Sequence, residues 1–139
     1  MWLDQTNEFQ AVQTDSAPRA IGPYSQATVV VSHCRMVFLS GQVGLDPANA
    51  RLVRGGVVEQ THQVMLNLQA VLAAAGSSLR DVVRTTIYLK NLEDFSAVNA
   101  VYAGHLDAPY PARATVEVAR LPLDALVEID AIAVVPQRG

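Results

Sequence analysis

The clearest pattern of hydrophobic and polar positions lies in the middle of the chain, over residues 57–75. Apolar residues recur there every three or four positions, which is the spacing of one face of an α-helix. Gly76 follows directly, and glycine is the residue most often found just beyond a helix C-terminus. The pattern predicts a helix whose apolar face consists of Val57, Val64, Met65, Leu68, Val71, Leu72 and Ala75.

A second helix is predicted after Asn91. Asparagine is a favoured N-cap residue, and Asp94 follows three positions later, as in a weak form of the capping box. Pro109 and Pro111 must end this helix, because proline lacks the backbone N–H that a helix needs. The expected apolar stripe of the second helix is Phe95, Val98, Tyr102 and Leu106.

Five segments have the composition of strands, and four of them form two predicted hairpins. Residues 27–31 and 36–39 are expected to pair around the turn Ser32-His33-Cys34-Arg35, with Ser40-Gly41-Gln42 ending the second strand. Residues 82–89 form a strand by themselves. Residues 114–119 and 126–135 form the second hairpin, joined across Leu121-Pro122.

The predicted order is ββαβαββ, which indicates an α+β domain with two helices packed on one face of a mixed sheet. Residues 1–15 show neither helical nor strand periodicity, so we expect a variable lead-in that is partly disordered. Residues 16–139 are expected to form one domain, since a chain of 139 residues is long enough to build its own core.

Composition and charge exclude several classes of protein. Ten Lys and Arg against thirteen Asp and Glu give a net charge of −3, which argues against nucleic acid as a partner. A single cysteine excludes a disulfide scaffold and a zinc site built on paired cysteines. The apolar runs are far shorter than the roughly 20 residues that span a bilayer. Asp4 and Glu8 stand where a signal peptide would be basic or apolar, so we expect a cytoplasmic protein with no membrane contact.

The last two strands carry the candidate catalytic side chains. Strand alternation places Arg113, Thr115 and Glu117 on one side of their strand, and Glu128 and Asp130 on the polar side of the final strand. These acids either lie on a solvated face or edge, or are held near apolar neighbours where a carboxylate can orient water or take a proton.

Arg113 begins its strand directly after the stiff dipeptide Pro111-Ala112. An arginine fork binds a carboxylate through two parallel hydrogen bonds, although a lone arginine more often lies on the surface. A surface side chain and a carboxylate-binding one therefore both remain open at this stage.

The other reactive residue types form no recognisable site in the sequence. Cys34 is interpreted as an ordinary turn thiol, since no histidine is placed to act as its base. His33, His62 and His105 lack metal-ligand spacing and are interpreted as structural or solvated. Gly55-Gly56 has no preceding strand and no following lysine, so no nucleotide site is predicted.

Taken together, blocks of the chain from about residue 17 to residue 135 resemble the reactive intermediate deaminase family, RidA/YjgF. The blocks occur in the family's order and at close to the family's spacing. They are AIGPYSQA at 20–27, SGQ at 40–42, QT at 60–61, AG at 75–76, DF at 94–95, Asn99 with Tyr102, PAR at 111–113, VARLP at 118–122 and EIDAIA at 128–133.

The resemblance implies a chorismate-mutase-like fold assembled as a homotrimer, with Tyr24 and Arg113 brought together across a subunit boundary. It also implies hydrolysis of enamine and imine intermediates, such as 2-aminoacrylate, to 2-oxo acids and ammonia without a cofactor. The small imino acid would be the binding partner, besides further copies of the chain.

By the same resemblance, Arg113 grips the substrate carboxylate and Glu128 is associated with the attacking water. Many family members carry Ser-Cys directly after the arginine, whereas this chain has Ala114-Thr115. Thr115 keeps a hydrogen-bonding group on the face of Arg113 but has no thiol, and we count it with the catalytic candidates. The remaining substrate-binding candidates are Tyr24, Ser40, Gly41 and Asn99.

Three other functions stay open. One is a dedicated catabolic deaminase for a larger substrate such as 2-aminomuconate. Another is a trimeric protein that binds or senses 2-oxo acids through Arg113 without turnover. A ribonuclease or translation inhibitor is the third, and the net charge argues against it. Glu128 and Asn99 favour turnover, since carboxylate capture alone would need only the arginine.

Overall fold

The structure is a computed structural model that describes residues 8–31 and 33–136. These residues form an α+β fold with two α-helices, in agreement with the predicted class. In chain order the elements are β1 (Phe9–Val12), β2 (Ala27–Val30), β3 (Arg35–Val43), β4 (Leu45–Asp46), β5 (Arg51–Leu52), α1 (Val57–Ala74), β6 (Val82–Leu89), α2 (Phe95–Gly104), β7 (Ala112–Glu117) and β8 (Val127–Val135).

The main sheet has four strands in the order β3-β8-β6-β7. β6 and β7 run parallel and are connected through α2, whereas β8 is antiparallel to both β3 and β6. The sheet is therefore mixed, as predicted. β1 pairs with β2 and β4 pairs with β5 in two separate two-stranded units.

The core lies between the helices and one face of this sheet. α1 packs on β3 and β8, and α2 packs on α1. Alternate residues of β8, such as Ile129 and Ala131, are buried against the helices, so the predicted apolar face of that strand is confirmed. On α1 the predicted stripe is buried at Val64, Met65, Leu68 and Leu72, but Val71 is 40% exposed and the prediction is wrong there.

Local hydrogen bonds and backbone angles set the ends of the helices. α1 begins after Gly56, whose backbone N–H donates to Glu59 Oε2 over 3.1 Å. It ends before Gly76, whose φ of +81° is a conformation that favours glycine. The Asn91 side chain accepts a hydrogen bond from Glu93 N in a 3-10 turn, Leu92–Asp94. α2 begins only after that turn, so the predicted capping box between Asn91 and Asp94 is wrong.

Both predicted hairpins are wrong in their pairing. β2 pairs with β1, and β3 pairs with β8, so no hairpin closes around the turn at 32–35, in which Ser32 lies outside the described residues. β7 pairs in parallel with β6 and starts at Ala112, two residues earlier than predicted. Alternation shows which side chains share a face, but it does not show which strands pair. Pairing is decided by packing, which places the apolar β8 between β3 and β6.

The segment expected to be an irregular lead-in contributes β1. Phe9 is only 2% exposed and packs with Val83 and Val134. A strand of four residues with a single buried side chain is too short to show alternation, which explains the miss. The rest of the expected lead-in, residues 1–7, lies outside the described residues.

Ser40-Gly41-Gln42 does not end its strand as predicted. β3 continues to Val43, and its register with β8 shifts between Leu39 and Gln42. Such a shift is a β-bulge, which re-aims side chains without ending the strand. Among the described residues, neither helix combines the length and the apolarity needed to cross a bilayer.

We predict that Gly44→Ala destabilises the fold. A Cβ at Gly44 would stand 2.9 Å from the backbone of Gln60, so α1 would have to move away from the end of β3. The expected loss in the free energy of unfolding is about 1 to 3 kcal/mol, as for other overpacked sites. Urea denaturation measures it.

The matched control is Gly104→Ala at the last residue of α2. A Cβ there meets no atom within 4 Å. Since alanine is the better helix former, this variant should be neutral or up to about 1 kcal/mol more stable. Equal stabilities of the two variants would contradict the tight approach at Gly44.

Candidate functional site

The guanidinium of Arg113 is the centre of the candidate site. Arg113 is the second residue of β7, in register with Thr85 of β6, and it faces α2. Its Nη1 donates to Oδ1 of Asn99 on α2 over 2.7 Å. The structure therefore brings together Arg113 and Asn99, two of the residues that the sequence singles out.

Three aromatic rings surround this guanidinium. The distances from Arg113 Cζ to the ring centroids are 5.2 Å for Tyr24, 5.3 Å for Tyr102 and 5.6 Å for Phe95. The faces of aromatic rings attract cations at such distances. We call these three rings, together with Asn99, the Arg113 cage.

The electrostatics of the cage favour binding of an anion. Among the described residues the ion pairs join Arg19 to Asp15 and Lys90 to Asp124, and no carboxylate lies within 4 Å of Arg113. Burial lowers the pKa of the guanidinium, although arginine stays charged in proteins. A partly buried cation with only neutral neighbours retains N–H donors for a carboxylate, which is the partner that arginine binds most specifically.

The block at 20–27 delivers Tyr24 to the cage. Ser25 N donates to the Pro111 carbonyl oxygen over 3.0 Å, and the Ser25 hydroxyl donates to the Tyr110 carbonyl oxygen. This attachment holds Tyr24 against Arg113 within a single chain. The expectation that these two residues meet across a subunit boundary is therefore wrong.

The Tyr102 ring of the cage is anchored in the core. Its side chain is fully buried, and its hydroxyl shares a hydrogen bond of 2.8 Å with Thr85 Oγ1. Burial raises the pKa of Tyr102, so the ring remains neutral beneath the guanidinium. The hydrogen bond ties α2 to β6 and fixes the position of Asn99.

Glu128 forms a second group with Ser40 and Gly41, on the other face of the sheet. Glu128 is in register with Val43 and Tyr88, and it alternates with the buried residues of β8. A Cβ at Gly41 would stand 2.8 Å from Glu128 Cδ. Any side chain at this position of the bulge would therefore displace the Glu128 carboxyl group. Ser40 precedes Gly41 and is exposed.

The polar face of β8 continues at Asp130. The Tyr88 hydroxyl donates to Asp130 Oδ2 over 3.0 Å, and this bond raises the pKa of Tyr88. Nearby, a cavity of about 320 Å³ is lined in part by Phe38, Arg84 and Asp130. Phe38 is 70% exposed, which is unusual for a large apolar side chain on a sheet.

The predicted site residues therefore fall into two groups separated by the sheet. Arg113, Asn99 and Tyr24 lie on the helix face, whereas Glu128 and Gly41 lie on the open face. Side chains on opposite faces of one sheet cannot contact the same small molecule. One chain alone does not assemble the complete predicted site.

Thr115 lies two residues beyond Arg113 on the helix face, in register with Ile87. Its Oγ1 is buried and has no hydrogen-bond partner in the described part of the chain. A buried hydroxyl without a partner costs about 1 to 3 kcal/mol in desolvation. Thr115 is thus a polar group near Arg113 that the fold itself does not use.

A pair of histidines is the feature that sequence reasoning missed. Nδ1 of His62 on α1 lies 3.0 Å from Nε2 of His105 at the end of α2. Burial and the neighbouring His62 both lower the pKa of His105. The two residues are 43 positions apart, so no spacing signal could have found the pair.

The other expectations for reactive residues concern Cys34 and His33. Cys34 is half-buried and packs on the cluster of Phe9, Val83 and Val134, as an ordinary small apolar side chain would. His33 is exposed. No group of three or more His, Cys, Asp or Glu side chains among residues 8–31 and 33–136 could hold a metal ion.

Comparison with known proteins gives consistent results. The family model described as Endoribonuclease L-PSP matches residues 14–135. Protein DfrA of Myxococcus xanthus is 55% identical over 90% of this chain and 95% of its own length. The 2-iminobutanoate/2-iminopropanoate deaminase of Capra hircus is 49% identical over 88% of both chains.

Solved structures agree as well. The crystal structure of RidA from the Antarctic bacterium Psychrobacter sp. PAMC 21119 is 47% identical, with a TM-score of 0.70 over 90% of this chain and 98% of the other. That structure has the same mixed α+β fold.

We predict that Thr115→Val leaves stability unchanged or raises it slightly, because it removes a hydroxyl that has no partner. Thr85→Val is the matched comparison on the neighbouring strand. It leaves the buried Tyr102 hydroxyl unpaired and should cost about 1 to 3 kcal/mol. Chemical denaturation of both variants tests this, and an equal loss in both would show that Thr115 has a partner in the folded protein.

Proposed function

Because the chain belongs to the RidA/YjgF family, whose family model is described as Endoribonuclease L-PSP, we propose that it hydrolyses small 2-imino acids and their enamine tautomers to 2-oxo acids and ammonia. The observation that carries the proposal is the half-buried Arg113 without an acidic partner. Mammalian relatives at 42–49% identity bear the name of an imino-acid deaminase, which supports this reaction class.

Substrate binding follows from the cage. Asn99 takes one N–H of Arg113 and holds the guanidinium in one orientation. The remaining N–H groups bind the substrate carboxylate, and the aromatic rings keep the ion pair partly shielded from water, which strengthens it. Thr115 Oγ1 supplies a further donor and acceptor on the same face.

The reaction needs proton transfer and a placed water. Protonation of the imine nitrogen makes its carbon more electrophilic. Water adds to that carbon as the C=N electron pair moves to nitrogen, and a proton of the water is lost to give a neutral carbinolamine. The carbinolamine nitrogen then gains a proton, the hydroxyl loses one as its oxygen forms the C=O bond, and the C–N bond breaks. Ammonia leaves, and the 2-oxo acid remains. No electrons are transferred, so the proposed mechanism needs no redox cofactor.

In this proposal Glu128 orients the water and takes its proton. Since Glu128 and Arg113 lie on opposite faces of one sheet, a second copy of the chain must bring its Glu128 to the Arg113 cage. We therefore propose a homotrimer with the pockets between subunits. The exposed side chains of Met36 and Phe38 on β3 provide apolar surface for such an interface.

A binding or sensing protein remains the second candidate. The cage is complete within one chain, and carboxylate capture needs nothing from the Glu128 group.

A deaminase for a larger substrate such as 2-aminomuconate is a further alternative. Hydrolysis rates measured on a series of imines of increasing size distinguish it. The cytoplasmic location and the lack of nucleic-acid partners stay predictions from the sequence.

We predict that Arg113→Ala lowers kcat/KM by about two to four orders of magnitude, because a charge-assisted pair to a carboxylate is lost. Arg113→Lys should restore little, since an ammonium lacks the planar fork. The assay measures ammonia and 2-oxo acid while an amino-acid oxidase generates imines in situ. Arg54→Ala, at an exposed arginine in a loop, is the matched control and should keep normal rates.

Melting temperature and assembly mass are measured on the same preparations. Near-normal hydrolysis by an intact Arg113→Ala protein would remove the central residue of the mechanism. If the unaltered protein binds a 2-oxo acid but does not exceed the uncatalysed hydrolysis rate, the sensing alternative is supported instead.

The shared site makes a further prediction about mixed assemblies. Arg113→Ala and Glu128→Gln proteins should each lose most of their activity, yet refolding them together should restore up to about a quarter of the sites by random assortment. Light scattering should report a trimer for each protein. A stable monomer, or no recovery in mixed assemblies that form, would contradict a site built from two chains.

A further inference from the structure

The contact between His62 and His105 is independent of the Arg113 cage. The two imidazoles come from different elements, α1 and the end of α2, and meet edge to face with centroids 5.2 Å apart. His62 is exposed and His105 is half-buried, so the pair borders solvent. Neither ring has a carboxylate within 4 Å among the described residues, since the ion pairs there are both formed by other side chains.

The spacing of the two nitrogens is that of neighbouring ligands on one metal ion. Imidazole nitrogens bind zinc at about 2.0 to 2.1 Å, and two of them at adjacent positions lie about 2.9 to 3.4 Å apart. Nδ1 of His62 and Nε2 of His105 are separated by 3.0 Å and share a hydrogen bond, so without a metal ion one ring donates its N–H to the other. A metal ion would replace the proton of this hydrogen bond, and both rings would turn so that their lone pairs point to the shared ion.

We propose that His62 and His105 form a two-histidine site for a divalent transition metal of the kind that imidazole prefers, namely Zn²⁺, Ni²⁺ or Cu²⁺. Water fills the remaining positions, so the ion exchanges with solvent and is not a structural zinc of the four-ligand type. Oxygen-preferring ions such as Mg²⁺ are not accepted.

A bound ion would link the two helices. α2 carries Asn99, Phe95 and Tyr102, the α2 side chains that hold Arg113 in place. Fastening the end of α2 to α1 therefore stabilises the element on which the cage depends. Because the ion binds only the folded chain, its binding raises the melting temperature.

The test uses the full chain without a histidine tag. Its melting temperature is measured with a molar excess of ZnCl₂, NiCl₂, CuCl₂ or MgCl₂, and the expected rise is about 3 to 8 °C with at least one of the first three. The rise should disappear in His62→Ala and in His105→Ala. It should persist in His33→Ala and Cys34→Ser, which remove the remaining histidine and the one cysteine of the chain.

Electron paramagnetic resonance of the Cu²⁺ protein gives a second readout. Two directly bound nitrogens should split the signal, and one of them should be lost in either single variant. If an alanine variant fails to fold by circular dichroism, His62→Phe keeps an aromatic ring in the contact without a ligating nitrogen. The absence of any metal-dependent rise, or a rise that survives both histidine substitutions, would overturn the proposal.

Discussion

A positive charge held partly out of water by neutral neighbours is the constraint on which this molecule depends. Arg113 donates to Asn99 and lies among three aromatic rings, and none of these groups neutralises it. The cost of burying a cation is offset only in part by ring faces and an amide oxygen. The fold therefore tolerates an arginine whose remaining donors are available to a carboxylate, and that availability is what makes a site here.

Several features far apart in the sequence serve this arrangement. The Tyr102–Thr85 hydrogen bond anchors α2 to the sheet, and Ser25 anchors the strand entry that brings Tyr24 over the guanidinium. Each is a buried or half-buried polar contact that fixes one wall of the cage. The cage is thus preorganised by the core, which lowers the conformational-entropy cost of the carboxylate binding that we propose.

The sheet is also the reason that one chain does not bring Arg113 and Glu128 together. β8 alternates between buried and half-buried residues from Val127 to Ile132, and its acids lie on the face away from the helices. The bulge at Gly41 in β3 makes room for the Glu128 carboxyl group on that face. In the proposed mechanism, this separation of Arg113 from Glu128 assigns proton transfer to an assembly of chains, so activity would depend on oligomerisation.

The sequence by itself determined what local periodicity and short motifs encode. α1, the strand over residues 82–89 and the apolar face of β8 were predictable, because each depends on side chains close together in the chain. Motif resemblance also identified Arg113 and Asn99, which the structure brings into contact. Strand pairing was not predictable, since two strands with suitable alternation do not specify which neighbour buries them best.

Only the tertiary structure decided three further points. It placed Tyr24 on Arg113 within one chain, put Glu128 on the opposite face of the sheet, and brought His62 to His105. Each depends on the packing of elements that are distant in sequence, where residue spacing carries no information. The sequence shows which reactive side chains the chain contains. Which of them come into contact is decided by the surfaces that the core buries together.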